Sequence, residues 1–232
     1  LNCIICKSRK KIKLSDVGQF DLPTSAVMCA DCGFVFNSPR LDKDEYNAFN
    51  SYLYRVMYGF YEPKKDYVKN QKRRAGQIWD YLIENNINLQ QMSSVLDIGS
   101  SAGGTLAFFK SKGLTEAYGI EPHKQFSEYA REKLKLNVHT GTLEDWVCNK
   151  KFDLIIMRDV LEHFLRPDKA LKIIKKHCHK DTAIFIETNN VFKTLYLTKP
   201  YKHVFQWAHP FTFSVNSLEN LLNICGFSIN AV

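Results

Sequence analysis

Residues 95–104 (VLDIGSSAGG) constrain the fold more than any other part of this chain of 232 residues. An apolar run reaches Asp97 and breaks into small residues, and helical apolar spacing restarts at residues 105–109. A second short apolar run then ends on Glu121. Strand, turn, helix and strand in this order predict a β-α-β unit, with both carboxylates at the carboxyl ends of parallel strands.

This β-α-β layout is typical of a site for a nucleotide-type cofactor. Small residues in the first turn let the backbone approach the ligand, and a carboxylate at the end of the next strand can accept ribose hydroxyls. The D-x-G-x-x-x-G spacing of Asp97, Gly99 and Gly103 differs from the dinucleotide-binding pattern G-x-G-x-x-G. A degenerate Rossmann-like domain that binds some other ligand is the alternative.

Strands and helices alternate from residue 93 onwards. Apolar runs predict strands at residues 95–98, 117–121, 137–140, 152–157, 183–187 and 227–232. Helical spacing fills the intervals, with Pro167 at the start of one helix and Gly226 after the end of another. The predicted fold class is therefore α/β, with a mostly parallel Rossmann-like sheet and helices on both faces.

Two pairs of cysteines near the N-terminus have the spacing of a zinc site. They are Cys3 with Cys6, and Cys29 with Cys32, while the other three cysteines are isolated. Two C-x-x-C pairs predict four thiolates around zinc in a small ribbon module, with Gly33 at a positive φ. The role is predicted to be architectural or substrate-contacting rather than catalytic, because four thiolates leave no open coordination position. Two disulfides or a redox dithiol are the alternatives.

Composition divides the chain into a zinc-ribbon module (residues 1–40), a tyrosine-rich connector (41–75) and a catalytic domain (76–232). The connector holds six of the 11 tyrosines, which suit either a surface that closes over a ligand or packing between domains. A second aromatic and basic segment, residues 189–207, is expected to be a loop without regular structure, and a loop of this length is usually a functional lid. The six tyrosines are Tyr46, Tyr52, Tyr54, Tyr58, Tyr61 and Tyr67, with Phe49 and Phe60 among them.

Positive charge is concentrated in the first third of the chain. Residues 1–75 contain 14 Lys and Arg against 8 Asp and Glu, a net +6 of the total +8. This excess favours a phosphate-bearing partner, either nucleic acid or a nucleotide-linked substrate, although exposed lysines on any surface also account for it. No apolar run approaches the roughly 20 residues of a membrane span, and free cysteines with no leader predict a cytoplasmic protein.

Residues 95–232 resemble class I S-adenosylmethionine (SAM) methyltransferases, because several motifs of that family occur in order. Asp97, Gly99 and Gly103 match its first motif, with Ser101 in place of the usual middle glycine, and Glu121 matches the acid that holds the ribose. The resemblance implies SAM as cofactor, with its amino-acid moiety and sulfonium against the turn. The further contacts implied are Thr142, where an acid often meets the adenine, the backbone around Leu143, and Arg158.

Proton removal from the acceptor is expected of residues that follow Arg158. Asp159, Glu162 and His163 are spaced i, i+3, i+4, so one helical turn would aim all three into the cleft. His163 is the first candidate for the general base and His209 the second. The alternatives are a hydrogen bond that stabilises the turn for His163 and an exposed loop position for His209.

The same four side chains, Asp159, Glu162, His163 and His209, could instead bind a divalent metal. They resemble the carboxylate-histidine sets of small-RNA 2′-O-methyltransferases and ubiquinone-pathway O-methyltransferases, with Asp159 where a longer Glu is usual. Mixed ligation rich in oxygen would suit Mg or Mn.

The acceptor is suggested by residues 29–40 (CADCGFVFNSPR), the connector and the catalytic domain in succession. This arrangement resembles bacterial methyltransferases of sugar and surface-polysaccharide pathways, including zinc-containing C-methyltransferases of nucleotide-linked deoxysugars. It implies a nucleotide sugar or glycan, methylated on oxygen or carbon. An RNA methyltransferase is the competing enzyme, although no known RNA-binding motif is evident. A non-catalytic zinc-ribbon interaction protein is disfavoured by the intact Asp97, Gly99 and Glu121.

Overall fold

The computed structural model describes residues 1–59, 62–197 and 204–232, without the side chains of residues 51, 52, 55, 194, 195 and 197. Phe60, Tyr61 and the side chain of Tyr52 in the connector, and residues 198–203 of the expected lid, lie outside that description. The strands are Lys11–Val17 (β1), Pro23–Cys29 (β2), Val35–Asn37 (β3), Ser94–Ile98 (β4), Glu116–Glu121 (β5), Asn137–Thr140 (β6), Phe152–Arg158 (β7), Cys178–Glu187 (β8) and Phe211–Thr212 (β9). The α-helices are Lys43–Ala48 (α1), Tyr54–Met57 (α2), Lys65–Glu84 (α3), Gly104–Ser111 (α4), Lys124–Leu134 (α5), Pro167–Lys176 (α6), Val191–Leu197 (α7) and Val215–Ile224 (α8).

The chain forms two compact units, each drawn from separate stretches of sequence. The first unit comprises Leu1–Tyr54, Asp159–Lys172 and Glu187–Val232, and the second comprises Arg55–Arg158 and Ile173–Ile186. The division predicted at residues 40 and 75 rests on composition alone and stays a prediction.

The first unit contains a four-stranded sheet in the order β1-β2-β3-β9. Its strands pair antiparallel, and Phe36 of β3 lies opposite Phe211 of β9. The buried ring of Phe34 stacks on Phe211 and lies 5.5 Å from Phe213, measured between ring centroids. Residues near both ends of the sequence therefore build one sheet and one aromatic core.

The second unit contains a five-stranded sheet in the order β6-β5-β4-β7-β8. β4 pairs in parallel with β5 and β7, and β5 pairs in parallel with β6. All five residues of β4 are buried, as expected for a central strand covered on both faces. The helix α3 supplies Ala75, Ile78 and Leu82 to the apolar core of this unit. The predicted Rossmann-like fold class is thus confirmed.

Two sequence-based predictions about the C-terminal third are wrong. Residues 227–232, expected to form a sixth strand, have no strand structure, because the chain leaves α8 through Gly226 at φ 77 and then pairs with no described strand. Residues 189–207, expected to be a loop without regular structure, contain the helix α7. Val191, Val204 and Phe205 of this segment are buried in an apolar cluster of the first unit.

Among the residues that the structure describes, no helix is both long enough and apolar enough to span a bilayer.

Candidate active site

The turn after β4 is the centre of the candidate cofactor site in the second unit. Gly99, Ser101 and Gly103 have φ values of 74, 50 and 81°, so Ser101 holds a left-handed conformation that favours glycine. Two hydrogen bonds hold Ser101 there: its N–H donates to Oε2 of Glu121 (2.9 Å), and its Oγ lies 3.0 Å from the Tyr67 hydroxyl. These two bonds offset the conformational cost of replacing the family's usual glycine.

Glu121 ends β5, and its side chain is 4% exposed. Its two carboxylate oxygens accept the N–H groups of Ser101 (2.9 Å) and His123 (2.8 Å). A carboxylate offers about four acceptor positions, so these two bonds orient the group and leave capacity for hydroxyl donors. The arrangement suits recognition of a ribose diol.

Close packing sets the direction in which α4 leaves this turn. A Cβ on Gly104 would lie 2.5 Å from the Cβ of Gln71 and 2.8 Å from the carbonyl oxygen of Val68. The N–H of Gly104 donates to Oε1 of Gln71 (3.1 Å), which satisfies one free amide at the start of the helix. The turn is therefore held against α3 by a contact that no larger residue permits.

Asp97 and Arg158 carry opposite charges at the carboxyl ends of β4 and β7. Burial raises the pKa of Asp97 to about 7, Arg158 opposes this shift, and the charge of Glu121 adds to it. Nη1 of Arg158 is buried and makes no hydrogen bond with the described residues. Because a buried donor without an acceptor is costly, Arg158 suits an anionic group of a ligand.

Thr142 and Leu143, expected near the adenine, follow β6. Leu143 is buried, and the Thr142 hydroxyl donates to Oδ2 of Asp145 at 2.6 Å. A carboxylate therefore lies beside Thr142 after all, supplied by the residue three positions later. Asp145 was not among the predicted cofactor contacts, although hydrogen bonds between Thr side chains and nearby residues are a common local pattern.

The four N-terminal cysteines come together in the first unit. All four Sγ atoms lie within 4.8 Å of one another, with Cys3 to Cys32 at 3.5 Å and Cys6 to Cys29 at 3.4 Å. Thiolates around a tetrahedral zinc lie about 3.8 Å apart, given Zn–S bonds of about 2.3 Å. Gly33 has φ 72 as expected, and its N–H donates to the carbonyl of Cys29 at 2.9 Å. The cluster fits a zinc module.

The predicted catalytic residues also lie in the first unit, but not on one helical turn. Leu161–His163 is a short 3-10 turn, which Asp159 precedes with φ 53. The N–H of Asp159 donates to the carbonyl of Glu187 (2.8 Å), and this bond ties Asp159 to the end of β8. The expectation that Asp159, Glu162 and His163 lie on one helical turn is therefore wrong.

His163 and His209, the two candidates for the general base, lie next to each other. Their ring centroids are 4.6 Å apart with the planes at 85°, and the ring of Tyr54 lies 5.6 Å from that of His163. Burial, together with the nearby His163, lowers the pKa of His209 well below its ordinary value. His209 is therefore a neutral imidazole near pH 7 and a half-buried residue rather than an exposed one.

Glu162 is the most deeply buried of the four candidates, at 3% exposed. Burial raises the pKa of its carboxyl to about 7, and the charges of Asp159 and Glu187 add to this effect. The nearby Thr188 hydroxyl opposes the shift, but neither carboxylate oxygen makes a hydrogen bond of ordinary geometry with the described residues. Glu162 can therefore exchange a proton close to neutral pH.

The four candidates do not form the expected Mg or Mn site. Among the described residues, the four cysteines are the only group of three or more His, Cys, Asp or Glu side chains that could hold one ion. Asp159, Glu162, His163 and His209 are not such a group. The divalent-metal hypothesis has no support in this geometry.

Tyr46, Phe49 and Tyr54 of the connector pack close to these candidate residues. Tyr46 is buried, its hydroxyl donates to the carbonyl of Ala208 (2.7 Å), and burial with the charges of Tyr54 and Glu162 raises the pKa of its phenol. Phe49 packs near both Tyr54 and Trp207. The high density of tyrosines in the connector indicated that this segment matters for the site. The sequence could not identify their partners, because residues such as Ala208 and Trp207 are far away along the chain.

Comparison with known proteins gives one family and several similar folds. A family profile described as a methyltransferase domain matches residues 67–232, which is more than half of the chain. None of the curated protein sequences matches significantly.

Several solved structures share the fold with TM-scores above one half, among them the following two. The plantazolicin methyltransferase BpumL, in complex with S-adenosylhomocysteine and a substrate analogue, has a TM-score of 0.53 and 18% identity over 78% of this chain and 76% of that chain. A SAM-dependent methyltransferase from Archaeoglobus fulgidus has a TM-score of 0.51 and 19% identity over 71% of this chain and 75% of that chain. DesVI of Streptomyces venezuelae has a TM-score of 0.46 and 20% identity over 53% of this chain. The chain spans about half of DesVI, or 52% of its length.

Proposed function

Because the chain belongs to the methyltransferase domain family, we propose that it transfers the methyl group of SAM to a small hydroxylated acceptor, a nucleotide-linked sugar or a surface glycan. The observation that carries the choice of SAM is the carboxylate of Glu121, buried at the end of β5 and oriented by the N–H groups of Ser101 and His123. That group is suited to the ribose hydroxyls of a nucleoside.

Further residues of the second unit support a donor with an amino-acid end. The unpaired, buried Nη1 of Arg158 suits the carboxylate of SAM, and Asp97 with the backbone of the turn at Gly99 suits its ammonium group. Gly103 lets the chain turn into α4 beside them. Thr142, Asp145 and Leu143 are the proposed contacts of the adenine.

The transfer itself is a displacement at carbon. An acceptor oxygen or carbon forms a bond to the methyl group, the bond from methyl to sulfur breaks, and S-adenosylhomocysteine leaves. When the acceptor is a hydroxyl, its proton passes to a base, and we assign that role to His163. His209 stays neutral beside it, and Glu162, with its pKa raised to about 7, is the second group able to accept the proton.

The four cysteines are proposed to bind one structural zinc ion. The distances between their sulfur atoms support this. A four-thiolate zinc site would stabilise the β1-β2-β3 segment without taking part in methyl transfer.

The proposed donor is tested by calorimetry with SAM, and absence of both heat and thermal stabilisation at millimolar SAM would rule SAM out. The proposed acceptor is tested by incubating the protein with SAM and a panel of nucleotide sugars, with mass spectrometry of the products. A product heavier by one CH2 group is expected. Methylation of RNA but of no nucleotide sugar, with RNA binding that weakens steeply as salt is raised, would replace this acceptor by RNA.

A further inference from the structure

The first unit contains a cavity of about 490 Å³ that none of the proposed methyl-transfer steps uses. Its volume lies within the range of small-molecule sites, roughly 300–1,000 Å³. The lining comes from the strands β2 and β3, the segment that leads into α1, and the residues just before β9. The lining residues that matter below are Thr24, Asn37, Arg40, Tyr46 and Trp207.

Hydrogen bonds hold the aromatic and amide walls of this cavity in place. The indole N–H of Trp207 donates to the carbonyl of Pro23 at 2.7 Å. The side-chain amide of Asn37 donates to the carbonyl of Gln206 at 3.0 Å, and the Tyr46 hydroxyl donates to the carbonyl of Ala208 at 2.7 Å. A ligand that enters would therefore meet walls already in position, which lowers the entropic cost of binding.

The charged side chains that line the cavity differ in whether they have a hydrogen-bond or ion-pair partner. Both lining carboxylates have partners: Asp16 pairs with Lys13 (2.6 Å), and Glu45 accepts the N–H of Asp42 (2.9 Å) at the start of α1. Arg40 makes neither an ion pair nor a hydrogen bond with the described residues. The uncommitted charge at the cavity is therefore positive.

The surroundings of Arg40 hold its guanidinium in place without using its donors. The guanidinium carbon lies 4.8 Å from the centre of the Phe211 ring, a contact with the face of the group. Burial and the nearby Arg166 lower the pKa of Arg40, while Asp168 raises it but is itself paired with Arg166 at 2.7 Å. The N–H donors of Arg40 thus remain available for a planar or tetrahedral anion.

Thr24 also lines the cavity and is 8% exposed. Its Oγ1 is fully buried and makes no hydrogen bond with the described residues, so it offers no polar contact to a ligand in the cavity.

We propose that this cavity binds a nucleoside diphosphate, with the phosphates at Arg40 and a ring of the nucleoside at Trp207. The guanidinium supplies paired donors for phosphate oxygens, and the fixed indole supplies an apolar wall for a ring. The proposal rests on the proposed function, since the nucleoside diphosphate is the carrier of the sugar to be methylated. It names the part of the chain that recognises this carrier.

The experiment measures binding of UDP, dTDP and GDP by calorimetry without SAM, in Arg40→Gln, Arg40→Lys and Arg9→Gln variants. Arg9 is exposed, lies in the same unit and is not part of the cavity wall, so Arg9→Gln matches the change of charge alone. We expect Arg40→Gln to weaken binding at least about tenfold. Arg40→Lys is expected to weaken binding less, because Lys keeps the positive charge but lacks the paired N–H donors of the guanidinium. Arg9→Gln is expected to bind like the wild type.

The affinities of ligand fragments test the phosphate end and the nucleoside end of the ligand separately. Pyrophosphate alone and uridine alone are each expected to bind more weakly than UDP, and UDP is expected to quench fluorescence in the wild type but less in Trp207→Phe. Equal affinity for pyrophosphate and UDP would overturn the assignment of Trp207. No binding of any nucleotide at millimolar concentration, or equal affinity in the wild type and a folded Arg40→Gln protein, would overturn the site.

The outcome stays distinct from that of the proposed function. SAM binding with no nucleotide binding would remove this inference and leave a methyltransferase of another acceptor. Nucleotide binding that depends on Arg40, in a protein with no affinity for SAM, would support the cavity and reject the proposed donor.

Discussion

The imidazole rings of His163 and His209 lie edge to face, with their centroids 4.6 Å apart. Two imidazolium ions at this distance would repel each other strongly, and burial adds to the cost of charging His209. His209 is therefore the neutral partner of this contact. A neutral imidazole beside His163 is compatible with the proposed role of His163 as the base.

The first prediction concerns His163. His163→Gln removes the proposed proton acceptor, and kcat for a hydroxyl acceptor is expected to fall by roughly 10²- to 10⁴-fold. The Kd for SAM, measured by calorimetry, is expected to be unchanged, since the proposed donor site lies in the second unit. Full turnover in the variant would show that His163 is not the base.

The second prediction is a pH dependence of stability that comes from Glu162. Its folded-state pKa of about 7 is above the ordinary 4.5, so the folded protein binds this proton more tightly than the unfolded chain. The contribution of Glu162 to the free energy of unfolding is therefore favourable below about pH 4.5 and is lost as the pH rises to about 7.

Glu162→Gln mimics the protonated side chain and tests this sign. The variant is expected to be more stable than the wild type at pH 8, by at most about 3 kcal/mol, and the advantage should shrink towards pH 5. Urea unfolding at both pH values measures it, with the exposed Glu132→Gln as control. An advantage of the same size at both pH values would contradict the buried, proton-binding state of Glu162.

The third prediction concerns the donor site. Glu121→Gln exchanges one acceptor oxygen for a donor beside the N–H groups of Ser101 and His123, and we expect the Kd for SAM to rise at least about tenfold. Glu132→Gln, with the same loss of charge on the exposed face of α5, should bind SAM like the wild type. Equal SAM affinity in both variants would remove Glu121 from the site.

The fourth prediction compares two helical glycines of the second unit. Gly104→Ala would place a Cβ 2.5 Å from Gln71, whereas at Gly76 the nearest atom is the Phe108 ring at 3.8 Å. Gly76→Ala is expected to stabilise its helix by up to about 1 kcal/mol, while Gly104→Ala should cost about 1–3 kcal/mol through overpacking. Thermal unfolding measures both, and a neutral Gly104→Ala would mean that α3 and α4 are packed less closely.

The fifth prediction concerns the metal. Cys29→Ser should abolish stoichiometric zinc and lower the thermal midpoint, because three thiolates bind zinc less tightly than four. Cys148→Ser, outside the cluster, should retain about one zinc ion per chain. Atomic emission on the purified variants gives the zinc content. Full zinc content in Cys29→Ser would place the metal outside the four-cysteine cluster, and absence of zinc from the wild type would contradict the zinc module.

The features of the second unit that local patterns encode were predictable. Asp97, Gly103 and Glu121 lie within one β-α-β unit, so apolar runs and turn residues were enough to place them at neighbouring strand ends. The cysteine pairs were equally readable, because the chemistry of the ligands and their spacing are both local.

Features that depend on distant pairing were not predictable. The helical turn expected after β7 is replaced by a left-handed Asp159, held by its N–H to the carbonyl of Glu187, a residue 28 positions away. The sequence around Arg40 does not indicate that its guanidinium contacts the ring of Phe211. The sequence around Tyr67 likewise does not indicate its hydrogen bond to Ser101. In each case the deciding partner comes from a different element of the fold.

The pairing of β3 with β9 has a consequence for the order of assembly. Residues 35–37 are synthesised well before residues 211–212, with which they pair. The five-stranded sheet, whose last strand ends at residue 187, can form before that pairing. We therefore expect the nascent strands β1, β2 and β3 to wait with the edge of β3 unpaired, and we expect zinc binding to stabilise them until β9 arrives.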